Sequence, residues 1–171
     1  MERICIFIDG SNFYYQLKES KTKGKLDYFA FAQALAGSHR QLIRTYYYVC
    51  PPSDTDHASY DDQQKFFSYL KNTPYLQLVF GDLEVRGDTH VEKGVDVRIA
   101  VDMVSLAYAE VYDTAILVSN DADLVPAVEK IKPLGKHVEY AYITKKTVQL
   151  VEACDTVLHI DREIFQQSKP K

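Results

Sequence analysis

The apolar run Ala115-Ile116-Leu117-Val118 leads straight into Ser119-Asn120-Asp121-Ala122-Asp123. Two carboxylates one residue apart therefore stand where a buried strand should hand over to a helix, with no Lys or Arg adjacent. The first apolar run, Ile4 to Ile8, likewise ends in Asp9-Gly10-Ser11-Asn12. A third acid, Asp96, lies in Lys93-Gly94-Val95-Asp96-Val97 at the start of a helical pattern. Carboxylates gathered without basic partners repel and raise one another's pKa, which costs stability unless a cation neutralises them. Oxygen ligands alone, with Asn and Ser nearby and no Cys or His, suit Mg²⁺ or Mn²⁺ rather than zinc. Mg²⁺ held by a few carboxylates keeps waters and completes its shell with substrate phosphates. Phosphodiester hydrolysis is the chemistry that follows most naturally.

Each acid also has an ordinary explanation. Asp9 before Gly10 can be a turn former. Asp121 can cap a helix whose dipole favours Asp123 in its first turn, and Pro126 is tolerated only near such a start. Asp96 is a plausible first-turn acid, and Lys93 could pair with it in a surface salt bridge of little worth. Asp102 lies six helical positions after Asp96, about 120° around the helix, between Val101 and Met103; it reads as a supporting or structural residue. Asp54, Asp56, Asp61 and Asp62 read as turn chemistry, and Asp82, Glu84 and Asp88 fall in a stretch without clear register. These explanations cover the acids singly and leave their convergence unexplained.

The elements that must position these residues alternate. Strands are expected at Arg3–Ile8, Gln41–Val49, Ala115–Val118, His137–Ile143 and Thr156–Ile160, with a strand-like stretch Leu76–Val85 in which Gly81-Asp82 marks a bend or hairpin. Helices are expected over Ser11–Glu19, from the cap Asp27 to Ala36, and over Asp61–Lys71. Others run from Gly94 to Tyr108, from the acidic pair to Leu134-Gly135, and over Thr147–Ala153. A short helix from Asp161 should fray into a polar end at Ser168–Lys171. This order implies an α/β domain with a mainly parallel sheet. Ligands of such sheets bind beyond the carboxyl ends of strands, where the winding reverses, and that is where three segments would bring their acids.

At 171 residues, 46% hydrophobic and 26% charged, the chain has the size and composition of one globular domain. It is divided into a domain at 1–163 and a polar C-terminal tail at 164–171. No apolar run reaches membrane-spanning length, and the N-terminus is too short and strand-like for a secretory signal. Three cysteines without CxxC spacing fit reduced thiols in a cytoplasmic protein, and the five histidines lie too far apart for common metal spacings. The net charge of −4 argues against bulk electrostatic grip on nucleic acid. Lysines still cluster at Lys21, Lys23 and Lys25, at Lys130, Lys132 and Lys136, and at Lys145 and Lys146.

The segments FIDGSNFYY, KGVDVRIAVDM and ILVSNDADLVPAVEKIKPLGKHV resemble, in order, the three signature blocks of the NYN family in its bacterial LabA-like branch. The resemblance spans about Arg3 to Ile160. It implies a PIN-like fold, a three-layer α/β/α sandwich around a mainly parallel central sheet, and a Mg²⁺- or Mn²⁺-dependent ribonuclease site. Asp9, Asp96, Asp121 and Asp123 match the family's acidic metal positions. Asn12 and Ser119 match its accompanying polar positions, and Lys93 its basic one. The family often places an aromatic after the last acid, where this chain has Leu124. On this pattern Asp9 and Asp121 would ligate the ion directly, and Asp96 and Asp123 through water or with a second ion. Asn12 would orient water or a phosphate oxygen, Ser119 would brace the loop, and Lys93 would meet a phosphate or Asp96. Ser11 and Asn120 would support substrate or ligands, and Tyr14, with Tyr15, would stack on unpaired bases. Tyr46, Tyr47 and Tyr48 read as packing. RNA, single-stranded or structured, is the implied partner; a homo-oligomer stays open and no membrane is expected.

Other classes fit less well. A haloacid-dehalogenase-type phosphatase needs an Asp where Ser11 stands, a dinucleotide site needs GxGxxG after the first strand, and a receiver domain draws its acids from earlier strands. The rival that remains is a regulatory module that binds RNA or protein and keeps the acidic pocket without catalysis.

Overall fold

An unbroken apolar run, Ile4 to Ile8, is buried on both faces of the first strand, β1 (Arg3–Asp9), and the chain then turns at once into helix α1 (Gly10–Glu19). In order there follow α2 (Tyr28–Ala36), β2 (Gln41–Val49), α3 (His57–Lys71) and β3 (Leu76–Phe80). Next come β4 (Asp82–Arg86), β5 (Thr89–Lys93), α4 (Val95–Tyr108) and β6 (Thr114–Val118). A 3-10 turn at Ala122–Leu124 precedes α5 (Val125–Ile131), and β7 (His137–Tyr142), α6 (Val148–Ala153), β8 (Thr156–His159) and α7 (Arg162–Gln167) complete the chain. This computed structural model describes residues 1–21, 25–51, 57–86 and 89–170, with the backbone alone described at 57–59, 83–86 and 89–92.

Six strands form one sheet in the order β3-β2-β1-β6-β7-β8, and every neighbouring pair in it is parallel. The period of two along a strand decides which helices cover which face. Ile4, Ile6 and Ile8 pack against Phe13 of α1, Phe31 of α2 and Leu70 of α3. Cys5 and Phe7 pack on the opposite side with Met103 of α4, Val128 of α5 and Leu150 of α6. The result is the three-layer α/β/α sandwich expected for a PIN-like fold. Asp27 caps α2 by accepting from the backbone N–H groups of Phe29 and Ala30, as its position suggests.

Two departures from the expected elements have physical causes. The stretch Leu76–Val85 is not one bent strand: β3 ends at Phe80 in the main sheet, and β4 pairs antiparallel with β5 in a separate hairpin. The sequences DLEVR and THVEK are short and mixed in polarity, so neither carries a readable alternation, and their pairing partner is each other rather than the core. The polar tail expected from residue 164 is in fact packed. Ile164 and Phe165 lie against the core, and the buried Ser168 accepts the backbone N–H of Asp27 at 2.8 Å. Lys23, Asp54, Asp56 and Asp88 lie outside the described residues. No described helix is long and apolar enough to cross a membrane.

The winding reverses between β1 and β6. From β1 the chain builds outward through β2 and β3; it then returns to place β6 on the other side of β1 and builds outward again. Helices on either side of this switch point diverge and leave a crevice at the carboxyl ends of β1 and β6.

Candidate functional site

The crevice is built from the end of β1 outward. Gly10 lets α1 start tightly against β2: a Cβ there would stand 2.6 Å from the carbonyl oxygen of Tyr48 and from Cε1 of Tyr47. Asp9, 7% exposed, caps α1, its Oδ1 accepting the backbone N–H of Asn12 at 3.1 Å. Its other oxygen accepts the hydroxyl of the buried Ser119 at 3.1 Å, and that same hydroxyl oxygen accepts the backbone N–H of Asp121 at 3.1 Å. Ser119 thus ties the carboxylate at the end of β1 to the turn after β6. Asn12 adds a second tie, its Oδ1 accepting the N–H of Asn120 at 3.1 Å and Nε2 of Gln16 at 3.4 Å. Through this oxygen Asn12 braces the acidic turn.

Asp121 caps the 3-10 turn, accepting the N–H of Asp123 at 2.9 Å, so its helix-cap role is real. The third wall comes from Lys93 at the end of β5, then Gly94 in the left-handed region at φ 74°, then Asp96 in the first turn of α4. Asp9, Asp96 and Asp121 line one cleft of about 490 Å³, together with Ser11, Asn12 and Asn120. Lys93 lines it as well. A cleft of this size leaves room for substrate beside an ion and its waters, each water filling about 30 Å³.

Three expected residues are placed differently. Asp123 is exposed and not part of the cleft lining. Asp121 is the extended residue that caps the 3-10 turn, whereas Asp123 lies within the turn, so the two carboxylates are carried on different backbone conformations. Tyr14 is 58% exposed and outside the lining, whereas its neighbour Tyr15, edge-to-face against it, is inside. Asn120 lines the cleft but turns its amide toward the loop after β7: Nδ2 donates to the Lys145 carbonyl at 3.0 Å and Oδ1 accepts the Tyr140 hydroxyl at 2.6 Å. Among the described residues, no three His, Cys, Asp or Glu side chains form a group able to hold one metal ion. The acids line a cleft without closing into a finished cage. Asp102 accepts the hydroxyl of the buried Tyr48 at 2.9 Å, which makes it a packing residue whose carboxylate, after burial, keeps that phenol protonated.

The cleft also contains residues that the acidic pattern did not single out. Gln16 and Glu19 line it one and two turns beyond Asn12, at spacings of four and seven, and Tyr15 lies between. Their signal was helical periodicity read from Asn12 rather than any motif. The lysines Lys130, Lys132 and Lys136 do not form one free patch. Lys132 pairs with Asp155 at 3.0 Å, and Lys136 is buried against Glu110. The cysteines Cys5, Cys50 and Cys154 are buried, and none forms a disulfide among the described residues. Burial pushes the thiol of Cys5 up to about 12 and that of Cys154 up to about 11, so neither offers a thiolate.

The family model of the NYN domain matches residues 3–161. The chain belongs to the NYN family. NYN domains are in general nuclease or RNA-binding domains, and nucleases of this kind typically use divalent metals. Within the family, this chain is 27% identical over 141 residues to the low amplitude and bright protein LabA of Synechococcus elongatus, covering 80% of this chain and 71% of LabA. The crystal structure of a Vibrio parahaemolyticus protein of unknown function superposes with a TM-score of 0.74 at 24% identity, over 95% of this chain and 94% of that one. This similarity is one of fold. At the position where NYN domains often carry an aromatic, Leu124 is fully buried beneath α4 and α5, so the exchange is a matter of packing.

Proposed function

We propose that this NYN domain is a ribonuclease that hydrolyses RNA phosphodiester bonds with Mg²⁺ or Mn²⁺ bound in the acidic cleft. The observation that carries this reading is the meeting of Asp9, Asp96 and Asp121, from three separate segments, in one cleft at the switch point of the sheet. The donor set fits a hard cation: it is all oxygen, and the buried thiols are excluded from ligation. Asp9 and Asp121 are the first choice as ligands, because Ser119 and Asn12 hold both on rigid backbone. Asp96 faces them from α4. Mg²⁺ is ordinarily held by one or two carboxylates with waters and substrate phosphates, so an open lining suits it better than a closed cage would. Held there by Asp9 and Asp121, such an ion would lower the pKa of a water near neutral pH and offset charge on the departing oxygen. Lys93, on the cleft wall, contributes positive charge toward a phosphate, and Tyr15 offers a face on which an unpaired base stacks. Exposed Asp123 would act on a second ion or through water. We place the protein in the cytoplasm, where its free thiols would stay reduced.

A second reading, a module that binds RNA or protein without cleaving it, is favoured by the absence of a closed three-residue metal cluster among the described residues. Incubation with single-stranded and structured RNA in Mn²⁺ separates the two. The wild type should cleave, and Asp121→Asn should lose at least about a hundredfold in rate, the scale for removing a group that stabilises transition-state charge. Equal cleavage by both proteins would indicate a contaminant, and cleavage by neither would favour the binding module.

A further inference from the structure

The loop between β7 and α6 is clasped to the acidic turn at several points. Besides the bond from Asn120 Nδ2 to the Lys145 carbonyl, the Thr147 hydroxyl donates to the Asn120 carbonyl at 2.7 Å. The Thr147 N–H donates to the Tyr140 hydroxyl at 3.0 Å, and Tyr140 in turn donates to Asn120. At the near end of the loop, the buried N–H of Ile143 donates to Oε1 of Gln16, a cleft residue, at 2.8 Å. The backbone of Lys145 is therefore fixed relative to Asp121, while its side chain is 79% exposed.

On Glu19, Lys145 Nζ meets Oε1 at 2.9 Å, and the Thr144 hydroxyl donates to Oε2 of the same carboxylate at 2.8 Å. Glu19 lines the cleft. The hydrogen bond from Lys145, then that from Thr144, lowers the Glu19 pKa, so the pair is fully ionised at neutral pH. Lys146 extends the positive rim and lies over the Tyr142 ring at 5.1 Å. An ion pair this exposed contributes little to stability, so separating it costs little. A phosphodiester is a strong acceptor for an ammonium group and carries the charge that Glu19 supplies in its absence.

We propose that Lys145 is a phosphate-binding residue for an RNA strand entering the cleft, and that Glu19 occupies its ammonium group until RNA displaces it. The inference rests on the reading of the cleft as an RNA site. Glu19 is then a competitor of the substrate rather than a part of the site. A purely structural ion pair makes the opposite prediction, because its two partners would matter equally and with the same sign.

The test is affinity for a single-stranded RNA oligonucleotide, measured by fluorescence anisotropy with Ca²⁺ in place of Mn²⁺ and at several salt concentrations. Lys145→Ala should weaken binding by roughly three- to tenfold and lower the salt slope by about 0.7, the value of one single-strand phosphate contact. Glu19→Gln should instead tighten binding, and Lys145→Arg should keep it. Loss of affinity in both Lys145→Ala and Glu19→Gln, or in neither, would overturn the proposal. Cleavage of the same RNA in Mn²⁺ is scored separately. Same-sign affinity changes with cleavage intact sink this inference alone; opposite-sign changes without cleavage sink the nuclease reading alone. A wild type that binds no RNA overturns both.

Discussion

The two ends of the central sheet use the same kinds of charged residue in opposite ways. Where the strands begin, acids and bases are matched. Arg3 at the start of β1 holds Asp113 through two guanidinium bonds, at 2.6 and 3.1 Å, and through its backbone N–H at 2.8 Å. Lys136 pairs with Glu110, Lys132 with Asp155, and Arg40 with Glu139 at 2.6 Å. Where the strands end, no Lys or Arg pairs with Asp96, Asp121 or Asp123 among the described residues. The Asp121 carboxylate instead accepts the backbone N–H of Asp123. Charges matched within the chain serve the fold, whereas charges left for something outside it mark a site.

That contrast predicts different responses to mutation at the two ends. The largest effect on stability is expected at Arg40. The Glu139 side chain is 10% exposed, and its second oxygen is buried without a hydrogen-bond partner among the described residues. Arg40→Ala strands this carboxylate and should cost about 3 kcal/mol in chemical denaturation, the usual scale for breaking a buried pair. At the other end, Asp121→Asn without metal should leave stability unchanged or raised, since repulsion is relieved and Asn caps well. A loss at Asp121 as large as that at Arg40 would erase the distinction between the two ends.

The next effect in size comes from the metal itself. Mn²⁺ at about 100 times its dissociation constant should stabilise the wild type by roughly 2.7 kcal/mol, read as a rise in Tm, and should do nothing to Asp121→Asn. A helix-cap role alone predicts no shift in either protein. The smallest effect is acid sensitivity at the paired end. The side-chain and then the backbone hydrogen bond from Arg3 hold the Asp113 carboxyl down to about 2, from an ordinary value of 3.8. A depressed carboxyl stabilises the fold above its unfolded value, and that contribution fades as pH falls from near 4 toward 2. The Tm of the wild type should therefore drop more over this interval than that of Asp113→Asn. Parallel curves would mean that the pair adds nothing, as exposed pairs often do.

Much of this was legible in the sequence because it is local. The unbroken apolar run from Ile4 to Ile8 marked a strand, Asp27 marked a cap, and the acidic residues after two apolar segments marked strand ends. Other features depended on partners distant in sequence. The β4–β5 hairpin has no apolar periodicity of its own and shows itself only through pairing. The polar-looking C-terminus is held by the core contacts of Phe165 and by the bond from Asp27 to Ser168.

The same division runs through the site. That Asp9 and Asp121 follow strands is readable locally, because strand runs and capping residues are written within a few positions. Long-range packing brings Asp96 to the same cleft lining and leaves Asp123 outside it, and it sets Asn12 to brace a turn 108 residues away. It also put Tyr15 rather than Tyr14 in the cleft and brought Lys145 to Glu19. Each of these depends on strand order and side-chain direction, which are set by packing among segments far apart in the chain and leave no local pattern to read.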